Sequence, residues 1–153
     1  MYKDVPDALH LAVTVACSTA RARELLVTPR GLNSWLTVEA EIASAIGAPV
    51  RLCLSSGEVV EGSVKGFDSA SGIAYSFVHD AVRRAFGETV VRWSWESLSP
   101  DYSVVTVTHT GHGQGDIWQR AYQHHLELWA RALRNLASVV NEGRDLRSKP
   151  VTP

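Results

Sequence analysis

Through most of this chain apolar and polar positions alternate at a period of two, and they change to helical spacing only after the first strand and near the C-terminus. Leu9, Leu11, Val13 and Val15 alternate with smaller or polar residues between positions 8 and 16, the pattern of a half-buried strand. Ser18 or Thr19 suits the N-cap of a short helix through Leu26, and Pro29 suits the first turn of a second one carrying Leu32, Trp35 and Leu36. Strands follow near residues 40–45, 50–54, 58–67 and 73–79, separated by Gly47-Ala-Pro49, Ser55-Ser-Gly57 and Asp68-Ser-Ala-Ser-Gly72, whose residues supply hairpin turns. Residues 81–86 predict a helical turn or a disordered excursion. The alternation returns in Val91-Arg-Trp93-Ser-Trp95 and Val105-Thr-Val107-Thr-His109, joined through a turn containing Pro100. From about Asp116 to Val140 the spacing becomes three and four: Trp118, Tyr122, His125 or Leu126, Trp129, Leu133, Leu136 and Val140 form one buried stripe. Gly143 suits a left-handed C-cap, and residues 144–153, polar with two prolines, predict a flexible tail.

A strand, two short helices, an antiparallel meander and a long helix make an α+β fold, expected as one domain over residues 1–143. A curved sheet followed by an aromatic-rich helix can wrap that helix and enclose a cavity. Parity places Ile73, Tyr75, Phe77 and His79 on one face of their strand; Val91, Trp93 and Trp95 share a face, as do Val105, Val107 and His109. Inward-facing, these side chains either line an apolar pocket or fill a dry core.

Charge and composition narrow the partners. A formal net charge of -1, with both signs interspersed, provides no basic field for nucleic acid. No run approaches the roughly 20 apolar residues of a membrane span. The N-terminus lacks the apolar core of a signal peptide, so a cytoplasmic location is expected. Cys17 and Cys53, without CxxC spacing, are expected as reduced thiols. His109, His112, His124 and His125 lie close in sequence, and an HxxH pair with a helix histidine has the makings of a zinc site. But His124 and His125 leave the helix in different directions and no carboxylate or thiol completes an evident set, so no metal and no cofactor are expected. Gly111-His-Gly113-Gln-Gly115-Asp116 lacks the lysine of a phosphate loop and is expected to be a flexible connection gating the cavity, with Asp116 or Gly115 capping the helix. No nucleophile elbow or carboxylate pair stands out, so no catalytic residue is assigned.

Four short segments, in order, resemble those of one family. Leu26-Val-Thr-Pro29-Arg-Gly-Leu32-Asn-Ser-Trp35 is similar to the segment after its first helix; Gly62-Ser-Val64-Lys-Gly-Phe67-Asp68 with Ile73-Ala-Tyr75-Ser-Phe77 to its central hairpin; Val105-Thr-Val107-Thr-His109-Thr-Gly111 to its "VxLTHxG" strand end; and Trp129-Ala-Arg-Ala-Leu133-Arg-Asn-Leu136 to its "WxxxLxxL" helix. They resemble the START-like, or SRPBCC, superfamily with its helix-grip fold, and within it the branch named after the activator of Hsp90 ATPase (AHSA1). Leu36 in place of a second Trp, Asp101-Tyr-Ser103 at a turn and Ala22-Arg23 in the first helix depart from the pattern. The resemblance implies that Trp129, Leu133 and Leu136 pack on the sheet, while Trp118, Tyr122 and His125 edge the pocket mouth; His109, at the strand end, is either a polar anchor of the cavity rim or a hydrogen-bonded core histidine. It also implies a small hydrophobic ligand, aromatic or lipid-like, bound by Trp35, Tyr75, Phe77, Trp93, Trp95, Val107, His109, Trp118, Tyr122 and His125, in a carrier or sensor of the kind met in stress responses. Two alternatives come with the family. One is a polyketide cyclase or aromatase using His109 with Tyr75, Arg92 or Glu96; the other is a protein docking on an Hsp90-type chaperone or on a second copy of itself.

Overall fold

The computed structural model describes residues 4–80 and 86–147. Within them β1 (Ala8–Val15), α1 (Thr19–Val27), α2 (Pro29–Asn33), β2 (Thr37–Glu41), β3 (Pro49–Leu54), β4 (Val59–Asp68), β5 (Gly72–His79), β6 (Glu88–Ser99), β7 (Tyr102–Thr110) and α3 (Asp116–Glu142) succeed one another. The excursion expected at residues 81–86 falls, up to residue 85, outside the described residues, as does the tail from residue 148.

All seven strands form one antiparallel sheet in the order β1-β7-β6-β5-β4-β3-β2, so the first strand pairs with the last and the two edges are β1 and β2. Register irregularities at Val64/Gly66, Ser97/Ser99 and Thr37/Glu39 accompany the curl of the sheet into a half-barrel. This is the α+β helix grip that the element order predicts.

Local chemistry fixes the elements where the pattern places them. Ser18 Oγ accepts the Arg21 N–H at the start of α1. Thr28 joins the two short helices, its hydroxyl accepting from Gly31 N at 2.9 Å and donating to Glu24 O at 2.7 Å. Gly31 must be glycine because a Cβ there would strike the Glu24 carbonyl. In α3 the buried positions Ala121, His125, Trp129, Ala132, Leu133 and Leu136 make the single inward stripe, and Gly143 closes the helix with a φ of 68°. Gly115 is the N-cap, with no side-chain cap bond.

Beneath the middle of α3 the core is aromatic. Trp93 sits edge-on to both Trp35 and Trp129, at 5.6 and 5.3 Å between centroids, and its Nε1 donates to the Tyr75 hydroxyl at 2.9 Å. The start of the expected tail is tied down. Arg147 donates to the carbonyls of Asn33 and Thr37, each at 2.9 Å, and pairs with Asp145, whose carboxyl is pulled down to about 2 chiefly by the hydrogen bonds it accepts from the Arg147 side chain. Leu146 N donates to the buried Asn135 side chain at 2.6 Å. Five guanidinium donors and one helix asparagine therefore order residues 144–147, which a polar composition does not reveal.

Candidate functional site

At one end of the sheet the inward face changes from aromatic to imidazole. His79 is the last residue of β5 and His109 the penultimate residue of β7, both on the inward parity, while His125 lies one helical turn before Trp129 on the buried stripe of α3. The loop between β7 and α3 adds His112, and the neighbouring helix position adds His124. Five of the six histidines in the chain meet here.

Three of them form a chain that ends on a carboxylate. Glu58, in the turn entering β4, has Oε1 2.5 Å from His79 Nδ1, a close charge contact rather than an aligned hydrogen bond. His79 Nε2 is 2.7 Å from His125 Nε2, and His125 Nδ1 is 2.8 Å from His112 Nε2. His124 Nε2 approaches the same carboxylate from outside, 3.1 Å from Glu58 Oε2. His109 stands apart with both nitrogens engaged: Nδ1 accepts from Trp129 Nε1 at 2.9 Å and Nε2 lies 2.6 Å from the Thr89 hydroxyl.

The electrostatics follow from burial. Loss of hydration pushes His109 and His125 far below the ordinary imidazole range, the other imidazoles adding to the effect, and burial lowers His112 as well. These rings are neutral. Burial alone would raise Glu58, but the adjoining His79 and His124 overcome it and hold the carboxyl below its usual value. A carboxylate thus ends a row of imidazoles in which His125 and His112 are neutral, an arrangement able to move a proton or to present several nitrogen lone pairs.

Open space lies along one flank of this cluster. A groove of about 920 Å³ runs between α3 and the β3–β4 turn, walled by Trp35, Leu36, Leu54, Leu128 and Leu146, with Glu58, Asp80 and His124 at one end and Arg131 and Arg134 on its rim. Of the residues expected to bind a ligand, Trp35 borders this groove. Tyr75, Phe77, Trp93, Val107, His109 and His125 have no exposed surface and Trp95 only 3%; they pack against one another beneath α3. His125, expected near a mouth, is interior. Trp118 and Tyr122 are half-buried and rest on His112 at 6.0 and 5.4 Å. The glycine-rich connection is pinned as well as flexible in sequence: Gln114 exchanges two hydrogen bonds with the backbone of Val5, at 2.9 and 2.8 Å.

One expectation is corrected by the geometry. A carboxylate does complete a donor set, because the fold brings Glu58 beside His124, 66 positions further along the chain. The ligand atoms of Glu58, His79 and His124 lie within 4.8 Å of one another, as do those of His109, His112 and His125. Cys17 and Cys53 are free thiols, and burial raises the pKa of Cys17.

No protein-family model matches the chain, and no curated protein matches it. Solved structures do. DynU16, from the dynemicin biosynthetic locus, superposes with a TM-score of 0.76 at 16% identity over 94% of this chain, which spans 51% of DynU16. The Aha1 dimer of Colwellia psychrerythraea gives 0.70 at 18% identity, covering 90% of this chain and 98% of that one. CalU16 of Micromonospora echinospora gives 0.71 at 13% identity over 94% and 77%. The chain has the SRPBCC/AHSA1-like fold. At these identities the likeness extends to the fold alone. No helix among the described residues is long and apolar enough to cross a membrane.

Proposed function

We propose that this SRPBCC-fold protein binds a small molecule with an apolar, aromatic or lipid-like body in the groove beside α3. The observation that supports it is the groove itself: about 920 Å³, lined by Trp35, Leu54, Leu128 and Leu146 together with charged and polar groups that include Glu58, Asp80, His124, Glu127, Arg131, Arg134 and Arg147. Small-molecule sites are commonly 300–1,000 Å³, mostly apolar, with few polar groups that fix orientation. An environment-sensitive apolar dye should bind the native protein and be displaced by hydrophobic small molecules. Leu128→Arg, which replaces an apolar lining side chain by a larger charged one, should weaken binding of an apolar body at least about tenfold, since the charge loses hydration when such a ligand covers it. Native protein that takes up neither dye nor ligand, or affinity indifferent to Leu128→Arg, would overturn the proposal.

A second reading, an acid–base enzyme of the cyclase type, is favoured by the row from Glu58 through His79 and His125 to His112, because its carboxylate end borders the groove. Turnover that vanishes in Glu58→Gln while ligand affinity persists would establish it over simple binding. Chaperone docking and self-association rest on likeness of fold to proteins such as the Aha1 dimer.

A further inference from the structure

We infer that Glu58, His79 and His124 form a binding site for a transition-metal dication of the Zn²⁺ class, facing the groove. Two imidazoles and one carboxylate are the protein ligands of open catalytic zinc centres and of facial iron(II) centres. Here they come from three separate elements: the turn entering β4, the end of β5 and the first half of α3. Their donor atoms converge within 4.8 Å, and the rings of His79 and His124 are inclined at 63°, so their in-plane lone pairs can meet at one point. His79 Nδ1 is fully buried and has no aligned hydrogen bond, although Glu58 Oε1 lies 2.5 Å from it. Metal binding requires this contact to widen to the separation of about 3 Å expected between ligands that each lie some 2 Å from one ion; His124 Nε2 and Glu58 Oε2 already lie 3.1 Å apart.

The surroundings match what a metal-bound imidazole needs. The other nitrogen of His79 is held by His125, and His125 in turn by His112, which fixes the tautomer and orientation of the His79 ring. With Nδ1 of His79 free for the ion, Nε2–H of His79 donates to His125 and Nδ1–H of His125 to His112, so the whole row carries one consistent set of protons. Glu58, Asp80 and His124 border the groove, which leaves the remaining coordination positions accessible to water or ligand. The competing trio of His109, His112 and His125 is a poorer site. Both nitrogens of His109 are engaged by Trp129 and Thr89, and its ring stacks on His125 at 4.1 Å with 24° between planes, which keeps their lone pairs from converging.

The test is titration of the chelator-treated 153-residue chain with Zn²⁺ by calorimetry, and with Co²⁺ by its visible absorption. One ion per chain is expected. His124→Ala, at a side chain 20% exposed, and Glu58→Gln should each weaken binding by at least tenfold with the circular dichroism unchanged. His125→Gln should weaken it less, by disturbing only the orientation of His79, and His109→Gln should leave it unchanged. Absence of binding at micromolar metal, or binding that survives both Glu58→Gln and His124→Ala, would overturn the site; loss on His109→Gln with retention on Glu58→Gln would move it to the other trio. The titration needs no organic ligand, so its result is separable from that of the dye experiment.

Discussion

The two ends of the α3–sheet interface are built from the same backbone geometry and opposite chemistry. Toward the C-terminal half of α3, Trp129, Leu133 and Leu136 pack with Trp93 and Trp35 in an interior whose few polar atoms are paired, such as the Trp35 Nε1–Leu25 O bond of 2.9 Å. One turn before Trp129 the helix stripe carries His125, and the inward positions at the ends of β5 and β7 carry His79 and His109, all at 2% exposure or less. Burying an imidazole contributes less than burying a phenyl ring and demands a partner for each nitrogen. A sequence under pressure for stability alone would continue the apolar stripe. A local departure from the apolar stripe is the kind of place where functional groups are commonly found.

The largest expected effect breaks the apolar end. Trp129→Ala should destabilise the protein by about 3–5 kcal/mol, the range for large aromatic truncations in cores. Trp129 is fully buried between Trp93 and Phe77, and its Nε1–H is also the donor that occupies His109 Nδ1. Chemical denaturation measures the loss. A change below about 1 kcal/mol would place the helix stripe on the wrong face.

Acid should weaken the polar end selectively. His109 is neutral in the folded chain, held far below its ordinary value by burial first and by His112 and His79 next; the titratable groups facing it are His79, His112 and His125. An unfolded histidine titrates near pH 6.5, so below that pH the unfolded chain takes up a proton that the folded chain refuses. The stability is therefore present above about pH 6.5 and falls as the pH drops toward the lowered folded value, at about 1.4 kcal/mol per unit for one such group. His109 alone should remove roughly 2 kcal/mol between pH 7 and 5. Denaturation midpoints across that window, compared with His109→Gln, should show the variant with the shallower decline. Equal slopes would mean that His109 is already charged or that water reaches it.

The contrast between the ends also marks what the sequence discloses. Period-two alternation in Ile73 to His79 and Val105 to His109, with the helix spacing of His125 and Trp129, is enough to place those side chains on facing surfaces, because parity and helical phase are local properties. Whether such surfaces enclose space is not local. Trp35 reaches Trp93 from the short helices, so its ring occupies volume that strand parity alone leaves open, and the open groove lies along α3 instead. Glu58 is illegible for a related reason: it follows a Ser-Ser-Gly turn with no motif around it, and the β4–β5 pairing, with Val60 opposite His79, together with the packing of α3, brings it to His79 and His124. The anchoring of residues 144–147 depends likewise on carbonyls of Asn33 and Thr37, more than a hundred positions away.

The smallest effect sharpens the comparison from inside the apolar end, where Tyr75 and Trp93 share one buried hydrogen bond. Desolvation raises the Tyr75 hydroxyl well above its ordinary value although the Trp93 bond opposes it, so the phenol is neutral and serves as an acceptor in a dry site. Tyr75→Phe removes a single oxygen and leaves the Trp93 N–H without its partner at 2.9 Å. The expected cost is about 1 kcal/mol, that of one neutral hydrogen bond, with no dependence on pH between 5 and 7 because neither group titrates there. A loss near 1 kcal/mol that stays flat with pH, beside a histidine end whose stability slopes, would separate the two interiors by mechanism. A Tyr75→Phe protein whose pH slope changes would show instead that the phenol is coupled to the imidazole row, and that the boundary between the apolar and polar ends lies deeper in the sheet than Phe77.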